Sequence, residues 1–255
     1  MNDAPLSSIH YRLSGVALEQ ASRVFVWGHG WGQSGQVFAP MAESLPQAAH
    51  ILLDFPGFGA SPLPPAHWGV ADYADACAAL LDTLPLPGKE VIWVGHSFGG
   101  RVGVSLVARY PGKITKLCLV AAAGLKRRRP WYQKLRSGIQ VAFFKTLRRL
   151  PWHLAWVERM KSRMGSADYR NAGAMRPVFV RVVNEDLAAT ALQIRCPTLL
   201  IYGGRDTETP PSMGEDYAHL IPQVRFLLAP DADHYSLLGA HRAIVMKWIK
   251  EFTGC

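Results

Sequence analysis

Gly95-His96-Ser97-Phe98-Gly99, preceded by the apolar run Val91-Ile92-Trp93-Val94, is the stretch on which the reading of this 255-residue chain turns. The apolar run predicts a strand, and residues 101–110 predict the helix that follows. A strand that turns directly into a helix forces the residue between them into a strained backbone conformation. Its side chain projects freely only where the neighbours are small. Gly95 and Gly99 meet that need and leave Ser97 displayed at the turn, which is how one enzyme class builds a nucleophile. The same five residues also fit an ordinary glycine-rich turn. The rest of the chain must therefore supply what such a serine needs.

Outward from this stretch, short apolar runs recur at 24–27, 50–53, 91–94, 116–120, 198–202 and 224–228, each closed by glycine, proline or a polar turn. Helical periodicity lies between most of them, at 71–84, 101–110, 211–220 and 240–252. Strands alternating with helices predict an α/β fold, a mostly parallel sheet covered on both faces. The alternation breaks after Ala121-Ala122-Ala123-Gly124, and some 70 residues pass before the next strand. A structureless loop of that length inside a compact domain is improbable. Leu135, Ile139, Phe143 and Leu147 recur at helical spacing, with Lys134, Arg136, Lys145, Arg148 and Arg149 on other faces. The expectation is a core of 1–124 and 188–255 carrying a helical cap, or lid, at 125–187.

Composition narrows the classes. A chain of this length buries a sizeable core, and 49% hydrophobic residues argue against extensive disorder. No apolar run approaches the roughly 20 residues of a membrane span, and no basic-then-apolar leader opens the chain, so a cytoplasmic protein is expected. Cys77, Cys118, Cys196 and Cys255 lack metal-ligand spacing and read as reduced structural thiols. The net charge of +9 is local: residues 125–170 hold 13 Lys or Arg against Glu158 and Asp168, so the whole excess sits there.

A serine hydroxyl at neutral pH is a weak nucleophile. It needs a base within hydrogen-bond reach, and the base needs an orienting carboxylate. Asp206 follows the run ending at Tyr202, and His234 follows the run at 224–228, so both fall at the carboxyl ends of parallel strands, the edge that also carries Ser97. Asp206 also fits a helix cap, and Asp233 is a rival neighbour for His234. His29-Gly30-Trp31-Gly32 follows the first strong strand and could offer a backbone N–H to an oxyanion.

At these residues the chain resembles the α/β-hydrolase superfamily over almost its whole length: HGWG at His29, DFPGFGAS at Asp54, GHSFGG at Gly95, GGRD at Gly203 and DHYSLL at Asp233. The resemblance implies Ser97 as nucleophile, Asp206 as acid, His234 as base, and Trp31 and Phe98 as backbone oxyanion donors. The side chains of Trp31, Phe98 and Tyr235 are then expected to contact substrate. No metal or organic cofactor is implied. Relatives that cleave halides or epoxides carry aspartate at the nucleophile, carbon–carbon bond hydrolases follow the histidine with tryptophan, and proline iminopeptidases follow the serine with tryptophan. Ser97, Tyr235 and Phe98 depart from all three, which leaves a small-molecule carboxylic ester as substrate.

The basic insertion admits several partners. It fits a solvated face on lid helices. HGWG, DFPGFG and the serine motif are also similar to esterases that demethylate pimeloyl on acyl carrier protein, which implies docking of an acidic carrier and an ester or thioester substrate. Trp131, Trp152 and Trp156 among the cations fit an anionic membrane surface. Nucleic acid is not expected, since no recognition motif accompanies the charge. A non-catalytic ligand-binding member and a lyase on the same scaffold are the alternatives by class.

Overall fold

The computed structural model describes residues 9–126 and 170–255. Most of the expected cap, 127–169, with Leu135, Ile139, Phe143, Leu147 and the three tryptophans, lies outside the described residues.

Seven strands form one sheet among the described residues: β1 (His10–Gly15), β2 (Arg23–Gly28), β3 (Ala49–Asp54), β4 (Glu90–His96), β5 (Lys116–Val120), β6 (Thr198–Gly203) and β7 (Val224–Ala229). Their order is β1-β3-β2-β4-β5-β6-β7. Every neighbouring pair is parallel except β1 with β3, which is antiparallel. The six expected strands are all present. β1 was not anticipated, because His-Tyr-Arg-Leu-Ser-Gly pairs with β3 along one edge and its side chains are mostly exposed, so no apolar run marks it.

Alternation along the strands divides the core into two. Val24, Val26, Ile51, Leu53, Trp93 and Leu119 point to one face, where α2 (Val70–Asp82), α3 (Phe98–Arg109), α4 (Arg176–Asn184), α5 (Ala188–Ala191) and α6 (Pro211–Leu220) contribute to the cover. Phe25, Trp27, Leu52, Ile92, Val94 and Val120 point to the other, against α1 (Ala39–Ala42) and α7 (Arg242–Thr253). Burial on both faces is why the inner strands read as continuous apolar runs. β3 and β6 are buried at every residue.

α3 starts at Phe98, three residues before the expected start at Arg101. Gly99 and Gly100, which precede the expected helix, are helical and buried. A Cβ on Gly99 would run into the carbonyl of Gly28, and one on Gly95 into the carbonyl of Gly99. Glycine is therefore required by the close approach of β2, β4 and α3, and this outweighs its poor helix propensity. Of the cysteines, Cys77 and Cys118 are buried, Cys196 is half-buried and Cys255 is exposed, all as free thiols. No helix among the described residues is long and apolar enough to cross a membrane.

Candidate active site

Ser97 stands between β4 and α3 with φ 51° and ψ −106°, one of two non-glycine residues at positive φ among those described. Such a conformation costs about 1–3 kcal/mol and persists only where the surroundings enforce it. They do so through the backbone. The Ser97 N–H donates to the Val120 carbonyl at 3.1 Å, and its own carbonyl accepts from Gly100, Arg101 and Ala123. Both groups are spent, and the side chain is left to project into a cavity of about 610 Å³.

His234 and Trp31, Phe98 and Tyr235 line that same cavity. Asp206 lies behind His234, buried, with its Oδ2 accepting the His234 Nδ1–H at 2.7 Å. A carboxylate can only accept, so this bond fixes Nδ1 as the protonated nitrogen of the neutral ring and frees the Nε2 lone pair. Asp233 does not compete. Its Oδ1 accepts from the Tyr235 and Ser236 N–H groups at 3.0 and 2.8 Å, forming an exposed turn that aims His234 inward.

The carboxylate of Asp206 is fully engaged. The N–H groups of Glu208 and Thr209 both reach Oδ1 at 2.8 Å, and the Thr209 hydroxyl lies 2.9 Å from Oδ2. Burial alone would raise its pKa, but the hydrogen bonds from His234 and Thr209 and the nearby imidazole charge prevail, and the net shift is downward. The Thr209 hydroxyl also lies 3.0 Å from the Ala121 carbonyl, which Ala121 presents by adopting φ 46° at the end of β5. Its single proton serves one of these acceptors at a time.

The His29 loop is pinned in the same manner. Phe55 donates its N–H to His29 Nε2 at 3.0 Å, so the ring is neutral and its Nδ1–H donates to the Gly30 carbonyl at 2.7 Å. Burial pushes the His29 pKa down to about 4. Gly99 donates its N–H to the His29 carbonyl at 2.9 Å, and Gly30 donates to Gln33 Oε1 at 2.9 Å. The N–H groups of Trp31 and Phe98 make no hydrogen bond among the described residues. Above them the Trp31 ring meets Phe58, Phe98 and Phe179 edge-on at 4.8, 5.4 and 5.0 Å, giving the cavity an aromatic wall.

Three residues of the site escaped the reading of the sequence. Thr209 sits three places after Asp206, a spacing that suits a local turn and signals nothing more. His96 adjoins the serine, and its Nε2–H donates to the His234 carbonyl at 3.0 Å while burial lowers its pKa to about 3. Arg101, inside an expected helix, lines the cavity. Among the described residues no cluster of His, Cys, Asp and Glu has an arrangement suited to a metal ion.

A seven-stranded, mostly parallel sheet with a serine raised on a strand–helix turn and an Asp–His pair at the same edge defines the class: the chain belongs to the alpha/beta hydrolase family, whose model it matches over residues 24–247. Among individual proteins it is similar to pimeloyl-acyl carrier protein methyl ester esterase of Chromobacterium violaceum, at 32% identity over 236 residues, covering 85% of this chain and 89% of that one. The enzyme of the same name from Neisseria meningitidis serogroup A is 29% identical, with 83% of this chain and 70% of the relative covered. Of solved structures, a hydrolase from Pseudomonas aeruginosa superposes with a TM-score of 0.69 at 25% identity, covering 97% of this chain and 94% of that one.

Proposed function

We propose that the chain is a serine hydrolase of carboxylic esters that works through an acyl-enzyme intermediate. The observation that carries this reading is the 2.7 Å bond from His234 to Asp206 beside the strained Ser97, with His234 and Ser97 on one cavity. The names of the relatives, methyl ester esterases, agree with it. In this reading His234 Nε2 takes the Ser97 hydroxyl proton as Oγ attacks the ester carbonyl. The tetrahedral oxyanion then accepts the free N–H groups of Trp31 and Phe98. Collapse expels the alcohol, which receives the proton from His234. Water, deprotonated by the same imidazole, cleaves the acyl-serine and returns the free enzyme. Asp206 holds the imidazole in the required tautomer throughout.

The test is turnover of short-chain methyl and aryl esters by the Ser97→Ala variant. The expected loss is several orders of magnitude in kcat with the folded state retained. Turnover near the parent level in the folded variant, or no fluorophosphonate adduct on Ser97 of the parent, refutes the reading and favours a non-catalytic binding role.

A carrier-linked acyl ester is the second reading of the substrate. It is favoured by the carrier-linked substrates named for the relatives and by the cationic excess at 125–170. In it, 125–187 forms a cap over a core of 1–124 and 188–255, and its cations attract the acidic carrier. Reversal of Arg127, Arg128 and Arg129 to glutamate should then lower kcat/KM for the carrier-bound ester about tenfold or more and leave small free esters nearly unaffected. Equal loss on both substrates counts against docking.

A further inference from the structure

Arg101 takes no part in the chemistry above, yet it lines the cavity one helical turn beyond Ser97 and is only 7% exposed. Its Nη1 donates to the carbonyls of Val182 at 2.8 Å and Glu185 at 3.2 Å. These belong to the C-terminal end of α4, where carbonyls lack partners within the helix. One nitrogen meets both. Nε and Nη2, with three further N–H groups, have no protein acceptor among the described residues.

No carboxylate among those residues makes a contact ion pair with this cation: both oxygens of Glu185 accept the Val70 N–H at 3.2 Å, and Asp186 faces Lys126 at 3.8 Å. Burial lowers the Arg101 pKa, and the more distant charges of Glu185 and Asp186 only partly offset it, so a carboxylate in direct contact would stabilise the guanidinium further. Capping α4 does not require it, since a single neutral or ammonium donor would serve the two carbonyls. A guanidinium adds a second planar edge that matches the two oxygens of a carboxylate. The lining of the same cavity includes Leu125, Phe179 and Val182, which suits an apolar chain.

We propose that Arg101 anchors a carboxylate at the non-reacting end of the acyl chain, so that the substrates are half-esters of straight-chain dicarboxylic acids. The ester carbonyl lies at Ser97, the methylenes lie along Phe179 and Val182, and the distal carboxylate takes the Nε–Nη2 edge. This rests on Ser97 being the nucleophile. It also sets the substrate apart from a carrier-linked acyl group, whose far end bears no free carboxylate.

The experiment compares kcat/KM for monomethyl esters of dicarboxylic acids with methyl esters of monocarboxylic acids of equal length, in the parent, Arg101→Lys and Arg101→Met. The parent should favour the half-ester about tenfold or more, the ratio should fall toward one in Arg101→Met, and Arg101→Lys should lie between. Because Arg101→Met also loses the α4 contact, a second measurement uses the parent alone: the dicarboxylate should protect Ser97 from fluorophosphonate, and the neutral diol of equal length should not. A parent ratio near one, a ratio unchanged by Arg101→Met, equal protection by diacid and diol, or preference for the carrier-bound ester over the free half-ester overturns the proposal. If fluorophosphonate fails to label Ser97 at all, it is the ester-hydrolase reading that falls.

Discussion

The Thr209 hydroxyl lies 2.9 Å from Asp206 Oδ2 and 3.2 Å from His234 Nδ1, so one small side chain touches both members of the acid–imidazole pair. Its other neighbour is the carbonyl of Ala121, 3.0 Å away on a strained residue at the end of β5. The threonine thus ties the loop after β6 to the strand beside it. Thr209→Val keeps the backbone N–H on Asp206 Oδ1 and removes only the hydroxyl. A loss of about 1 kcal/mol in transition-state stabilisation is expected, a five- to tenfold drop in kcat/KM with little change in melting temperature.

Asp206 and Asp233 offer a sharper contrast. Asp206→Asn cannot accept the Nδ1–H as the carboxylate does and favours the wrong tautomer of His234; the comparable change in a serine protease costs about 10⁴-fold in kcat. A loss of that order is expected here in ester turnover. Asp233→Asn keeps a side-chain oxygen for the Tyr235 and Ser236 N–H groups and should stay within about threefold of the parent. Similar losses in the two variants would show that Asp206 does not orient His234.

Gly99→Ala tests the close approach of β2, β4 and α3. The new methyl group meets backbone carbonyl rather than a side chain that can swing away. Destabilisation of about 3 kcal/mol or more is expected, roughly 6–12 °C in melting temperature, together with loss of turnover. The measurement is thermal unfolding followed by circular dichroism. An unchanged midpoint would mean that α3 can shift away from β2 without cost.

The buried histidines set the acid side of stability. Burial lowers His29 to about 4 and His96 to about 3, against 6.5 for the unfolded chain. Below 6.5 the unfolded chain binds protons that the folded one refuses, so stability is full above that pH and declines as pH falls toward the folded values. Each histidine contributes a slope of about 1.4 kcal/mol per pH unit within its window. Urea midpoints should therefore fall steadily from pH 6.5 to 4. Replacing His96, whose Nδ1 already lacks a partner, with Gln should flatten that decline.

Most of the scaffold was legible because burial on both faces leaves strands as uninterrupted apolar runs, and 211–220 matched α6 at both ends. What was hidden has physical reasons. β1 is an exposed edge strand whose residues carry no burial pattern, and the start of α3 was disguised by glycines that backbone contact requires. Ser97, Asp206 and His234 could be placed because strand ends converge on one edge of a parallel sheet. Thr209, His96 and Arg101 act through distances that join segments far apart in the chain. The Arg101 Nη1 bond to the Val182 carbonyl spans 81 positions, beyond the reach of any local pattern.

Gly28 and Gly95 are partners in the parallel register of β2 and β4, so the loop bearing Trp31 and the turn bearing Ser97 and Phe98 depart from one rung of the sheet. The Gly99 to His29 bond then locks the two departures together immediately above it. Mechanically they are one solid piece. The residues of α4 that line the cavity belong to a separate segment, while the spacing between the two free N–H groups is set by the sheet. In the proposed reaction, selection among substrates and stabilisation of charge therefore rest on different parts of the fold, and either can drift in evolution without detuning the other.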